Sequence, residues 1–547
     1  MKGYDILRRI ADRRAERIAR EGHTLGAEVP DERQVPVAPV FAEPGGARTA
    51  GGAPAARGAR TAGLLICEVK RRSPSRGAIN AGADPAALAV DYARRGAGAV
   101  SVLTEVDHFA GSLADLMAVK DALGAPHAVP VLRKDFLLDE EDIDVSYRAG
   151  ADIVLLIATL LDAEQLARLH GRAKALGMAA LVELYTREDA ENVRGLAPPL
   201  TGINSRDLTS FELDRLHPLA VSAAVDWPAA LIYESGVFFE EDARVAAQAG
   251  FAGILVGEAV MRAPELVSDL ARGLATGAAH AARAGTRAVV AAGVVAAASA
   301  GAPRPDFWSA VARRAAFYRT QRGARPLVKI CGITSRADAE AAVSGGSGGG
   351  DGAASGTGVA GGADILGFIF AESPRAASFE LLAELSDLEV LKVAVVVAGG
   401  GREIPEAVRE ALEAGLIDAV QLHGDETPSE CASLAFPYYK AVRLRADADA
   451  AVIEAYRSPR VLIDAFDRNA YGGTGRRILP EVVDAAARQA PLWMAGGIGP
   501  ANVAGIVERH RPELIDASSL LEAEPGRKDH DTLRRFFEEI GNATTVQ

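Results

Sequence analysis

The chain has 547 residues, 49% hydrophobic and 24% charged, a globular composition that excludes a mainly disordered or fibrous protein. Lys and Arg number 60 against 73 Asp and Glu, a net charge of -13; this argues against nucleic acid or an anionic membrane as the main partner, while small anionic substrates stay open wherever basic residues converge. At about 150 residues per domain three or four domains would fit, but α/β barrels of about 250 residues count as one, so two barrels also fill the length.

The N-terminus mixes Lys2, Arg8, Arg9, Asp12, Arg13 and Arg14 with apolar residues, which predicts an amphipathic helix rather than a signal peptide. Residues 44–60, rich in Gly, Ala and Arg, are expected to form a flexible loop. Short apolar runs then recur at 64–67, 99–103, 130–132, 153–157, 180–182, 202–203, 231–233 and 254–256. Helix-length segments such as 162–176 and 240–249 separate them, the rhythm of a (β/α)8 barrel whose strands are buried on both faces.

Residues 273–325 are Ala-rich with scattered Arg and a Pro/Gly break at 301–305, and are expected to be a helical linker. The rhythm resumes at 327–330, 365–370, 392–397, 419–422, 439–442, 461–463, 492–495 and 514–517. The expectation is therefore two (β/α)8 barrels in tandem, at 1–272 and 326–547. Nine of the 18 residues 344–361 are glycine, which predicts a second flexible insertion. The apolar run 288–302 is shorter than the roughly 20 residues a bilayer requires. Cys67, Cys331 and Cys431 are too few for a disulfide framework, and a cytoplasmic monomer is expected.

In such barrels the C-terminal strand ends form the active site. Five strands of the first barrel end on Glu68 and Lys70, Lys134, Glu183, Asn204 and Arg206, and Glu234 and Ser235. This mixture suits an anionic substrate undergoing acid/base chemistry at a carbonyl. The two-residue period turns Glu68 and Lys70 inward and leaves Cys67 in the core. In the second barrel, Lys329 and Cys331 share one inward face; a cationic neighbour favours thiolate, so Cys331 is expected to act as a base near neutral pH. Asp464, on the far side of the mouth, would supply a proton to an oxygen.

These stretches carry two resemblances. Glu68-Val-Lys-Arg-Arg-Ser-Pro-Ser-Arg-Gly77, Leu132-Arg-Lys-Asp-Phe136, Leu181-Val-Glu183, Gly202-Ile-Asn-Ser-Arg-Asp-Leu208 and Glu234-Ser-Gly236 together resemble indole-3-glycerol-phosphate synthase. That resemblance implies Lys134 as general acid, Glu183 as general base, and Glu68 as the group that orients the lysines and assists dehydration. Lys70, Ser73, Asn204 and Arg206 would hold the substrate, and Ser235, Gly236 and the Gly257 backbone the phosphate. Glu258, beside that phosphate, is expected to turn its carboxylate away.

Lys329-Ile-Cys-Gly-Ile-Thr334, Phe368-Ile-Phe-Ala-Glu-Ser-Pro-Arg-Ala-Ala-Ser378, Gln421-Leu-His-Gly-Asp-Glu426, Gly472-Gly-Thr-Gly475 and Asp516-Ala-Ser-Ser519 resemble phosphoribosylanthranilate isomerase, which performs an Amadori rearrangement. Here the resemblance implies Cys331 as base, Asp464 as acid, Arg375 on the anthranilate carboxylate, and His423 as a packing or hydrogen-bonding residue beside the substrate. Gly496, Gly497, Ser518 and Ser519 would hold the phosphate, with the bulk of Leu520 shifting that loop. No cofactor or metal is implied. The product of the isomerase is the substrate of the synthase, so the two motif sets form one bifunctional enzyme of tryptophan biosynthesis. The alternatives are a non-catalytic barrel, or a second barrel acting on the related histidine-pathway sugar, whose family has Asp where Cys331 stands.

Overall fold

The computed structural model describes residues 4–40, 63–73, 77–80, 82–124, 129–207, 212–294, 306–320, 325–345, 361–399, 403–444, 451–465, 480–488 and 491–545. The loop expected at 44–60, the break at 301–305, most of 344–361 and the motif at 472–475 lie outside these residues. The chain divides into two compact units, Met1–Pro305 and Asp306–Gln547.

In the first unit eight parallel strands close into a barrel in chain order. They are β1 (Leu64–Val69), β2 (Ala99–Leu103), β3 (Val131–Lys134), β4 (Ile153–Ile157), β5 (Ala179–Leu184), β6 (Leu200–Asn204), β7 (Ala230–Glu234) and β8 (Gly253–Val256). All five residues of β2 and of β4 are buried, because alternate side chains face the interior and the surrounding helices. Strands β1, β3, β5, β6 and β7 outrun their apolar runs at the C-terminal end. Arg133 and Lys134 remain on the ladder opposite Val102 and Leu103, and Glu68, Glu183 and Glu234 likewise belong to their strands, whereas Lys70 and Arg206 lie just beyond theirs.

Helix α1 (Tyr4–Glu21) is the expected amphipathic segment, with Leu7, Ile10 and Ala11 buried. Helix α2 (Ala163–Ala175) starts one residue late because Asp162 caps it, its side chain accepting from the Gln165 amide. Helix α3 (Glu240–Gln248) packs against α4 (Leu266–Val294). A Cβ on Gly273 would lie 2.3 Å from the Glu240 carbonyl oxygen, and one on Gly277 2.5 Å from that of Arg244. Glycine there lets the two backbones touch, and this part of the expected linker packs within the first unit.

The second unit opens with α5 (Phe307–Thr320), also within the stretch expected to link the barrels. Its Phe307 stacks on Tyr439 at 6.2 Å and its Trp308 meets Trp493 at 5.9 Å between ring centroids. Eight parallel strands close the second barrel: β9 (Leu327–Cys331), β10 (Ile365–Phe370), β11 (Leu391–Val396), β12 (Ala419–Leu422), β13 (Tyr438–Leu444), β14 (Val461–Ala465), β15 (Trp493–Met494) and β16 (Leu514–Ala517).

The glycine-rich segment lies between α6 (Arg336–Val343) and β10, and so joins the N-terminal end of a strand, away from the catalytic face. Its two ends meet: a Cβ on Gly345 would lie 2.4 Å from the Gly361 carbonyl oxygen. Deleting residues 346–360 and closing the gap with a short turn is expected to leave isomerase kcat/KM within about twofold. Because closure entropy grows slowly with loop length, stability should change by no more than about 1 kcal/mol. A large loss of turnover at an unchanged thermal midpoint would show that the segment reaches a site.

Candidate active sites

At the C-terminal end of the first barrel, Glu68, Lys70, Ser73, Lys134, Glu183, Asn204, Arg206, Glu234, Ser235, Gly236 and Gly257 all line one cavity. Lys134 Nζ lies 3.3 Å from Glu183 Oε2 and 3.8 Å from Glu234 Oε2, while Lys70 Nζ pairs with Glu68 Oε1 at 2.8 Å. Burial alone would lower the Lys134 pKa, but Glu183, Glu234 and Glu68 outweigh it and raise it, so the ammonium holds its proton. Glu234 is driven the other way. Burial and the neighbouring Glu183 carboxylate lift its pKa well above the usual carboxylate range against the pull of Lys134, which favours its neutral form.

Backbone geometry leaves room for this cluster. A Cβ on Gly202 would fall 1.9 Å from Glu234 Oε1, and one on Gly257 2.5 Å from Glu68 Oε1, so any larger residue at either position would displace a carboxylate. Ser235 and Gly236 both have positive φ, +65° and +72°, the type of turn that aims backbone N–H groups into a concave anion site. Glu258 pairs with Arg262 at 3.2 Å, yet it still lines the same cavity.

The cavity has apolar walls as well, from Leu7 of α1, Phe109 and Phe136. Helix α1 is fastened by Arg14, whose guanidinium donates to Asp135 at 2.9 Å and to both oxygens of Asp142 at 2.9 and 2.8 Å. Burial pushes Asp135 up, yet Arg14 and Arg133 prevail and hold it down at about 2. The residue beside Lys134 is thus a fixed anion that locks the helix over the mouth. From sequence Glu234 was read only as one of the strand-end residues of the site, without a role of its own, and α1 was given no part in it; the amphipathic pattern of α1 was the available signal.

In the second barrel Cys331 and the buried Lys329 both face inward, as expected. The thiol is not shifted as expected. Burial pushes it above its ordinary value, more than Lys329 lowers it, because the Lys329 charge is already engaged by Asp516 Oδ2 at 2.6 Å. Gln421 Oε1 accepts from Lys329 at 2.8 Å and from the Tyr439 hydroxyl at 2.9 Å. Gln421 Nε2 meets His423 Nδ1 at 2.7 Å, and His423 Nε2 meets Asp464 Oδ2 at 3.0 Å. This chain of contacts spans the barrel from β9 to β14.

Arg375 forms an ion pair with Glu522 at 2.9 Å, and Lys528 donates to both Glu522 Oε1 at 2.9 Å and the Cys331 carbonyl at 2.7 Å. Sequence reasoning placed Arg375 but missed Glu522 and Lys528, which come from a hairpin after the last strand with no barrel periodicity to mark it. Gly496 and Gly497 have φ of +91° and +60°, and Ser518 Oγ donates to the Cys331 carbonyl at 3.0 Å. Leu520 is 44% exposed and covers Gly499, where a Cβ would come within 2.9 Å of its own.

Residues 54–272 match the family model for indole-3-glycerol phosphate synthase, and residues 351–539 that for N-(5'-phosphoribosyl)anthranilate isomerase. An indole-3-glycerol phosphate synthase from Oceanobacillus iheyensis is 40% identical over 206 residues, 38% of this chain and 77% of that protein. The chain belongs to the indole-3-glycerol phosphate synthase family. A multifunctional tryptophan biosynthesis protein from Phycomyces blakesleeanus is 30% identical over 87% of this chain, which spans 62% of that longer protein. A solved phosphoribosylanthranilate isomerase from Thermotoga maritima is 29% identical over 40% of this chain and 99% of its own, with a TM-score of 0.32. With a synthase domain followed by an isomerase domain, the chain is a bifunctional enzyme of tryptophan biosynthesis, a lyase and an isomerase in one polypeptide. Phosphorylated anthranilate-derived substrates fit both families.

Proposed function

We propose that the clustered residues divide the chemistry as follows. In the second barrel Cys331 takes the C2 proton of N-(5-phosphoribosyl)anthranilate while Asp464 protonates the ring oxygen, and the furanose opens. The resulting enol shifts to the 2-ketone, 1-(2-carboxyphenylamino)-1-deoxyribulose 5-phosphate. Arg375, already oriented by Glu522, exchanges that partner for the anthranilate carboxylate, which a planar guanidinium fits. Gly496, Gly497, Ser518 and Ser519 hold the phosphate.

In the first barrel Lys134 protonates the ketone oxygen as the aromatic carbon bearing the carboxylate attacks the ketone carbon. A C–C bond forms, CO2 leaves and restores the aromatic ring, and the new hydroxyl takes up a proton with the help of Glu68 and departs as water while Glu183 accepts a proton from the adjacent methylene. Glu68 orients Lys70 and assists that dehydration, Lys70, Ser73, Asn204 and Arg206 hold the substrate, and Ser235, Gly236 and Gly257 take the phosphate. The observation that carries this reading is the Lys134 ammonium held between two buried carboxylates at the cavity wall. An ammonium stabilised this way gives up its proton only when the carbonyl oxygen gains charge in the transition state.

We further propose that the enzyme is a cytoplasmic monomer. This is supported by its three unpaired cysteines, and among the described residues no helix is long and apolar enough to cross a membrane. Supplying phosphoribosylanthranilate to the purified chain should produce indole-3-glycerol phosphate with transient ketone intermediate, from a species of monomer mass by light scattering. Accumulation of the ketone alone would overturn the synthase assignment.

A further inference from the structure

The buried chain from Lys329 to Asp464 fixes more than positions. An ammonium can only donate, so the Gln421 atom 2.8 Å from Lys329 Nζ is the amide oxygen, and the Tyr439 hydroxyl donates to the same oxygen. The other end of the amide is then an NH2, which also only donates. It faces His423 Nδ1 at 2.7 Å, so that nitrogen presents a lone pair. A neutral imidazole with Nδ1 unprotonated carries its proton on Nε2, and Nε2 lies 3.0 Å from Asp464 Oδ2.

We infer that Gln421 is a positioning residue for the isomerase, locking His423 as the neutral Nε2–H tautomer so that it donates to Asp464. The catalytic consequence rests on the acid role proposed for Asp464, whereas the tautomer follows from the contacts alone. In that role Asp464 carries the transferable proton while its Oδ2 accepts from the His423 N–H. The carboxylate left after transfer is stabilised by the same N–H, which needs no reorganisation during the reaction. Among the described residues the ionisable groups around this arrangement include Lys329, Cys331, Tyr439, Asp464 and Asp516, and Asp516 is engaged by Lys329. At 8% and 1% exposure, His423 and Gln421 have little water with which to exchange partners.

The test uses the full chain labelled with 15N, in long-range 1H–15N correlation spectra at about pH 7.5, with His423 assigned by its absence in His423→Asn. The expected result is an unprotonated Nδ1 and a protonated Nε2. Gln421→Glu replaces an obligate donor with an acceptor, so both ring nitrogens should become protonated. Isomerase kcat should fall by about tenfold or more while KM moves by less than about twofold and synthase turnover is unchanged. A proton on Nδ1 in the unmodified chain overturns the tautomer, even if the Glu variant fails to fold. A protonated His423 in Gln421→Glu with kcat unchanged overturns the positioning role. A failure of the acid assignment itself would look different, with Asp464→Asn turning over at the original rate and the His423 signals of the unmodified chain as expected.

Discussion

Replacing Lys134 with Met is expected to lower indole-3-glycerol phosphate formation by about a thousandfold or more, while isomerisation of phosphoribosylanthranilate continues at the original rate. The size follows from general acid catalysis combined with lost charge stabilisation at a developing alkoxide. Met preserves most of the apolar stem, so the loss cannot be ascribed to an empty cavity. Removing the cation also takes from the buried Glu234 the charge that opposes its burial, which favours its neutral form further. Lys134→Arg separates the two contributions, because guanidinium keeps the charge but releases its proton far less readily. Both variants should accumulate the ketone intermediate. Synthase turnover within about tenfold of the original enzyme in Lys134→Met would refute the assignment.

How much of this was legible in the sequence depends on periodicity. The apolar run ending at Leu132 announced β3 and left Lys134 just after it, but the run could not show that Arg133 and Lys134 stay on the ladder. Glu234 was visible as a strand end, whereas its role depends on Glu183 and Lys134 arriving from two other strands. Helix α1 was legible as amphipathic. That its buried face roofs a cavity depends on Arg14 finding Asp135 and Asp142, which lie more than a hundred residues away. In the second barrel the proximity of Lys329 to Cys331 was read correctly and its electrostatic consequence was not. A strand pattern reports which residues share a face, but not how deeply they are buried or that Asp516 takes up the charge first.

That correction leads to the last expectation, on the isomerase. Cys331→Ala and Asp464→Asn should each reduce isomerisation by about a hundredfold or more and leave the synthase intact, since each removes one end of a proton transfer. The pH dependence then tests which state of Cys331 works. A general base must be deprotonated, and burial pushes this thiol above its ordinary value. Below that pKa the thiolate fraction rises with pH, so kcat/KM should climb through neutrality and on into the alkaline range. Cys331→Asp supplies a carboxylate, which ionises at about pH 4 when unperturbed, so whatever activity remains should show its rise displaced to lower pH. The measurement is initial isomerisation rate against pH for the three proteins under kcat/KM conditions. A profile flat across neutrality in the original enzyme, or a rise at the same pH in Cys331→Asp, would mean that another group takes the C2 proton and that the thiol is only part of the packing.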